Sequence, residues 1–340
     1  MWEQGKDGLN FISKLTWKRS KNILQNYVGY MRSRSSREPY HGGLPISISI
    51  EPTTACNLRC PECPSGLRSF TRPTGMLEPE LFHKVINELS PTLSYLTFYF
   101  QGEPFLHKNF LDLVSYANKK GIYTATSTNG HFITKSSAHQ IVKSGLDRLI
   151  ISIDGTTQET FESYRIGGQL DKVIAGAKEM VMAKKELKSS TPHVIFQFLV
   201  VRPNEHQIEE VQQLGKEIGV DEVKFKTAQI YDYEEGNDLI PTIDKYSRYK
   251  QQSDGKFTIK NKLLDHCWKM WHSCVITWDG KVVPCCFDKD AHHVMGECSE
   301  QTFEEIWNSD AYHGFRKQLF QSRSTIEMCK NCTEGTQVWA

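Results

Sequence analysis

Three cysteines, Cys56, Cys60 and Cys63, fall within one short run and are the first residues of this chain equipped for metal or redox chemistry. They sit in Glu51-Pro-Thr-Thr-Ala-Cys-Asn-Leu-Arg-Cys-Pro-Glu-Cys-Pro, directly after a short apolar stretch that reads as a strand. A cubane iron–sulfur cluster normally takes four thiolates, so a loop offering three leaves one iron open to bind a further ligand. Structural zinc is the competing reading, but it calls for four closed ligands, usually as paired knuckles, and no second pair stands nearby. The odd number in the loop and the absence of a secretory signal argue against disulfides.

Such a loop needs a scaffold, and the body of the chain alternates two patterns. Ile46–Glu51, Tyr95–Phe100, Tyr123–Thr128, Leu149–Asp154, Val194–Val201 and Glu222–Thr227 are short β-branched or aromatic runs. Between them, 78–90, 109–120, 134–144, 170–187 and 206–218 carry helical periodicity. Strands alternating with helices of this length predict an α/β fold with a parallel sheet, whose chemistry gathers at the carboxyl ends of the strands. Polar motifs lie at those ends. Gln101-Gly102-Glu103-Pro104 follows the second strand, where a glycine permits close backbone approach to a ligand and a carboxylate suits an ammonium group. Asn129-Gly130 ends the third strand and Ser152-Ile-Asp154-Gly155 the fourth, with Tyr164-Arg165 beyond. Asn-Gly and Asp-Gly are also ordinary turn pairs, whereas an arginine there can pair with a ligand carboxylate.

In this order and spacing the motifs resemble the radical S-adenosylmethionine (SAM) superfamily. The resemblance implies a partial (β/α)6 barrel and a [4Fe–4S] cluster held by Cys56, Cys60 and Cys63, with SAM on the fourth iron. It further implies SAM contacts from Gly102, Glu103, Pro104, Asn129, Ser152, Asp154 and Arg165. Glu103 would meet the amino group, Ser152 a ribose hydroxyl and Arg165 the carboxylate. Two positions depart from the common pattern: Gln101 replaces the first glycine of a GGEP motif, and Glu62 replaces an aromatic before the third cysteine.

The other seven cysteines lie between Cys267 and Cys332. Cys267-Trp268-Lys-Met-Trp271-His-Ser-Cys274 is followed by Trp278-Asp279-Gly280-Lys-Val-Val-Pro-Cys285-Cys286-Phe-Asp288, then by Cys329-Lys-Asn-Cys332. Asp-Gly between alternating apolar residues predicts a hairpin. Four thiolates suffice for one closed cubane. The tail is similar to the SPASM/Twitch domain of radical SAM enzymes, and the favoured ligands of an auxiliary [4Fe–4S] cluster are Cys267, Cys285, Cys329 and Cys332. Cys274 and Cys286 stand as substitutes, Cys298 reads as core, and Trp268, Trp271 and Trp278 are expected to pack around the cluster. Zinc is the rival for the tail alone.

The whole chain has 340 residues, ten cysteines and a formal net charge of +1, so no global charge draws it to nucleic acid. No apolar run is long enough to span a membrane, which points to the cytoplasm. The expected organisation is a basic N-terminal extension at 1–44, a core barrel at 45–235, a linker at 236–265 and an auxiliary-cluster unit at 266–340. In the extension, Leu24, Tyr27, Val28 and Met31 form a helical stripe expected to face the core, a membrane-surface or partner-binding helix being the alternative. By resemblance the chain is an enzyme that cleaves SAM to a 5′-deoxyadenosyl radical and takes a hydrogen atom from a small molecule, sugar or peptide, in a net oxidation. It would draw electrons from a flavodoxin or ferredoxin. A non-catalytic iron–sulfur sensor or electron carrier is the different answer.

Overall fold

The computed structural model describes residues 2–334. Residue 1 of the expected extension and residues 335–340 of the expected C-terminal unit lie outside the described residues. Six strands, β1 (Ser47–Ile50), β2 (Tyr95–Thr97), β3 (Tyr123–Thr128), β4 (Arg148–Ser152), β5 (His193–Val200) and β6 (Glu222–Thr227), pair in parallel in sequence order. Between successive strands from β1 to β6 the chain returns through the helices Pro79–Leu89, Phe110–Lys119, Lys135–Lys143, Leu170–Glu186 and Ile208–Ile218.

Side-chain alternation along the strands divides the sheet's two faces. Ile48, Ile50, Leu96, Leu149 and Ile151 are buried in the main core with Phe82, Val85 and Ile86 of the first returning helix. The alternate residues Ser49, Thr97, Ile150, Ser152 and Gln197 line the concave interior. That interior is more polar than the helix-facing side, which leaves room for a polar ligand. The expected strand Tyr95–Phe100 ends at Thr97, because the chain turns away to present Gly102 with a positive φ of 75°.

The tail continues the sheet. After a two-stranded ribbon, β7 (Tyr249–Gln251) with β8 (Phe257–Ile259), strand β9 (Ser273–Ile276) pairs in parallel with β1, from Ser47 opposite Ser273 to Ile50 opposite Ile276. The Asp279-Gly280 turn, with Gly280 at φ 89°, then leads into β10 (Lys281–Val283), antiparallel to β9, and β11 (Gly296–Glu297) closes that edge. β1, which delivers the first cysteine loop, is therefore an internal strand.

The N-terminal extension forms two helices, α1 (Trp2–Ser13) and α2 (Trp17–Ser36), where one was expected. They close the end of the sheet opposite the cysteine loop. Phe11 packs on Tyr95 and Tyr123, the first residues of β2 and β3, and Asp7 pairs with Arg148 at the start of β4. The expectation for α2 is reversed. Its buried face is Arg19, Asn22, Asn26, Gly29, Tyr30 and Ser33, and the stripe Leu24, Tyr27, Val28 and Met31 is exposed. The reason lies beneath it, in a floor of backbone carbonyls that need donors. Arg19 donates to the carbonyls of Ser90 and Lys120 at 3.0 Å, and Asn22 and Asn26 donate to that of Leu44 at 2.8 Å.

Candidate active site at the open end of the sheet

The cysteine loop is held from both sides. At the end of β1 the fully buried Glu51 receives both terminal nitrogens of Arg72, at 2.6 and 2.8 Å. Arg72 is in turn fixed by Asp290, which accepts its backbone N–H. The turn after Cys63 packs so tightly that a Cβ on Gly66 would lie 2.6 Å from the backbone N and O of Cys60. Cys56, Cys60 and Cys63 all face one cavity of about 710 Å³. Burial pushes the Cys56 thiol up to about 11 and raises Cys60, opposed there by Arg165, whose Nη1 stands 3.7 Å from the sulfur. Thiols so placed must release protons to ligate metal.

The strand-end motifs converge on the same cavity, which Gly102, Glu103, Asn129, Ser152 and Arg165 also line. Gly102 lies against the cysteine loop, and a Cβ there would fall 2.1 Å from the carbonyl oxygen of Thr53. Glu103 N–H donates to Ala55 O at 2.8 Å, tying the two loops together. The Glu103 carboxylate is buried and accepts from Thr128 Oγ1 (2.7 Å), Asn129 N (2.8 Å) and Phe105 N (3.2 Å). Burial nonetheless raises it to about 7. Pro104 starts the short turn Pro104–Leu106 and does not itself line the cavity. Asp154, expected among the ligand contacts, lies behind the wall. It accepts Arg165 Nε at 2.5 Å and Leu199 N at 2.7 Å, so it reaches the cavity only through Arg165.

Four tail cysteines, Cys267, Cys285, Cys329 and Cys332, line a second, smaller and more enclosed cavity together with Met270, Leu319 and Arg323. Arg323 Nη2 lies 3.2 Å from Cys332 Sγ. Cys274 is buried elsewhere, near Tyr312 and Cys298, and Cys286 turns into the large cavity with Lys269 Nζ 3.7 Å away. The tryptophans are not where they were expected. Trp268 and Trp271 pack on Tyr30 of α2, Trp278 covers Gly75, and none lines the small cavity. Lys269, Phe287 and Glu334 line both cavities.

Sequence reasoning missed further wall residues. Lys226, Lys289 and Gln197 face the large cavity, and Lys289 Nζ donates to Tyr231 OH at 2.7 Å. Period-2 alternation in β5 could have flagged Gln197, since a polar residue in an apolar strand has to face something polar. Glu62, the departure beside Cys63, accepts Tyr231 N at 2.9 Å.

The donor types suit the groups expected from the sequence: three thiols beside a buried carboxylate line one cavity, and four thiols line the other. Comparison with known proteins agrees. The model of the radical SAM superfamily matches residues 50–215, and that of an iron–sulfur cluster-binding domain, SPASM, matches 267–333. A cofactor-modifying protein of tungsten-containing aldehyde ferredoxin oxidoreductase, from Pyrococcus furiosus, is 26% identical over 84% of this chain and 86% of its own. A PqqA peptide cyclase from Bradyrhizobium diazoefficiens is 24% identical over 88% of this chain and 81% of its own. SuiB of Streptococcus suis, solved with S-adenosylmethionine, superimposes with a TM-score of 0.64 at 15% identity, covering 93% of this chain and 78% of that one. The chain belongs to the radical SAM superfamily, as an enzyme with a C-terminal SPASM domain. Its cofactors are accordingly a [4Fe–4S] cluster with SAM and auxiliary iron–sulfur binding in the tail.

Proposed function

We propose that the chain oxidises a small substrate carrying an anionic group, removing one hydrogen as an atom and one as a proton. The observation that carries this reading is the shared cavity, which has the Cys56–Cys63 loop on one wall and Cys286, Lys269 and Phe287 of the auxiliary region on another. A substrate between them would stand beside both redox centres. With cofactors bound, SAM and substrate would give methionine, 5′-deoxyadenosine, a proton and a product lighter by two hydrogens, the priming electron being recovered.

The protein's own residues bind and orient. Cys56, Cys60 and Cys63 would hold the first cluster, and Cys267, Cys285, Cys329 and Cys332 the auxiliary one. Glu103 would take the SAM ammonium, Ser152 a ribose hydroxyl, and Arg165, aimed by Asp154, the carboxylate. Lys226 and Lys289 would meet a substrate carboxylate or phosphate, which favours a small molecule or sugar derivative over a long peptide. The units would be a core at 45–235 and an auxiliary-cluster unit at 266–340, joined by 236–265. A cytoplasmic flavodoxin or ferredoxin would supply the first electron.

The test is anaerobic incubation of reconstituted protein with SAM, dithionite and a panel of neutral, carboxylated and phosphorylated small molecules. Release of 5′-deoxyadenosine, stimulated by an acidic member and matched by a product lighter by two hydrogens, is expected. A product of unchanged mass would overturn the oxidation, and preference for neutral compounds would overturn the role of the two lysines.

A further inference from the structure

Apart from Tyr27, whose ring meets that of Trp268 edge-on, the outward stripe of α2 packs on nothing that the described residues provide. Trp17 is 83% exposed, Leu24 61% and Val28 55%, and Tyr27 and Met31 are exposed beside them. These residues recur at helical spacing on the face opposite Arg19, Asn22 and Asn26, which grip the body. Lys18, Lys21 and Arg32 flank the stripe on one side and Arg34 on the other, all exposed. No aspartate or glutamate occurs anywhere in Trp17–Ser36. At the C-terminal end of the stripe, Arg34, Arg37 and His266, with Leu263, Leu264 and the single acid Asp265, border a recess of about 420 Å³ in which cationic side chains outnumber the carboxylate.

We infer that α2 is an interfacial helix that seats the enzyme on an anionic phospholipid surface. An apolar strip bearing a tryptophan and bordered by cations is the composition that inserts at the boundary between headgroups and acyl chains, with the lysine and arginine stems reaching up to phosphate. Charge complementarity selects this occupant over a second copy of the chain. Two such helices meeting face to face would oppose cations with no acid in either helix to answer them. Because α2 closes the amino ends of the strands, the open cavity would point away from the lipid, toward water-soluble substrate and reductant.

The experiment is flotation of the reconstituted holoenzyme with vesicles of phosphatidylcholine alone and of phosphatidylcholine with about a third phosphatidylglycerol. Binding to the anionic vesicles only, weakened by salt, is expected. Lys18→Gln with Lys21→Gln should weaken it by about 25-fold, at roughly fivefold per cation removed near the surface. Trp17→Ser with Leu24→Ser and Val28→Ser should abolish it while leaving SAM cleavage in solution unchanged. All five positions are exposed, so the fold should survive both variants, which circular dichroism verifies. No binding to anionic vesicles, equal binding to neutral ones, or binding that both variants retain would overturn the inference. So would a dimer by light scattering that the triple variant dissociates, since the stripe would then belong to a second copy.

Discussion

Glu103 should make SAM binding strongly dependent on pH between 5.5 and 7. Its carboxyl is buried and raised to about 7, and it can hold an ammonium only when ionised. A group with a pKa near 7 is about half ionised at pH 7 and about 3% ionised at pH 5.5. Apparent affinity scales with the competent fraction, so it should fall roughly 16-fold over that interval, about 1.6 kcal/mol. The α-amino group of SAM, with a pKa of roughly 7.7–8.0, stays charged throughout and adds little. Glu103→Gln should flatten the profile and weaken binding at pH 7, by roughly 1.5–3 kcal/mol for a lost charged hydrogen bond. Linkage supplies a second readout. A buried acid with a raised pKa destabilises the ligand-free fold as pH climbs from about 4.5 toward 7, and an ammonium ligand removes that cost. SAM should therefore raise the Tm of the cluster-loaded protein more at pH 7 than at 5.5. Calorimetric titration of wild type and variant, anaerobically at both pH values, measures the effect. A wild-type affinity that is flat with pH, or a variant that keeps the slope, would refute the reasoning.

Two further outcomes follow from close contacts. Gly102→Ala places a methyl 2.1 Å from Thr53 O on backbone at φ 75°, so the two loops must part. The left-handed backbone alone costs about 1–2 kcal/mol. Lower urea stability and loss of SAM cleavage are expected, and parent behaviour in both would refute the close approach. In the tail, Cys285→Ala should lose about four irons per chain, one cubane's worth, whereas Cys274→Ala and Cys286→Ala should lose none. Iron and sulfide analysis decides, and loss on Cys286→Ala instead would reassign the ligand.

Where local pattern and tertiary demand coincide, the sequence is a good guide. Tyr123–Thr128 and Glu222–Thr227 match β3 and β6 to the residue, because apolar or alternating runs bounded by turns have little choice between helix and strand. The convergence of Cys56, Glu103, Ser152 and Arg165 was legible for a similar reason, since strand ends of a parallel sheet share one rim. α2 was misread because an apolar stripe identifies the inner face only when the surface beneath is apolar. Here that surface is a row of carbonyls, and the polar stripe Arg19, Asn22, Asn26 and Ser33 was the one to follow. Lys226 and Lys289 were invisible for another reason. They lie far apart in sequence, and only the register of β6 and the fold of the tail bring them to the same cavity.

The parallel pairing of β1 with β9 bears on how the protein matures. Ser47 meets Ser273 across most of the chain, a closure that costs roughly 5 kcal/mol in loop entropy before any contact repays it. Glu51, at the base of the first cysteine loop, also waits for the backbone N–H of Trp278, 3.3 Å away. A nascent chain still short of residue 278 thus exposes β1 as an open edge, able to pair with the wrong neighbour. The final packing at the base of the Cys56–Cys63 loop therefore depends on residues more than two hundred positions further along the chain.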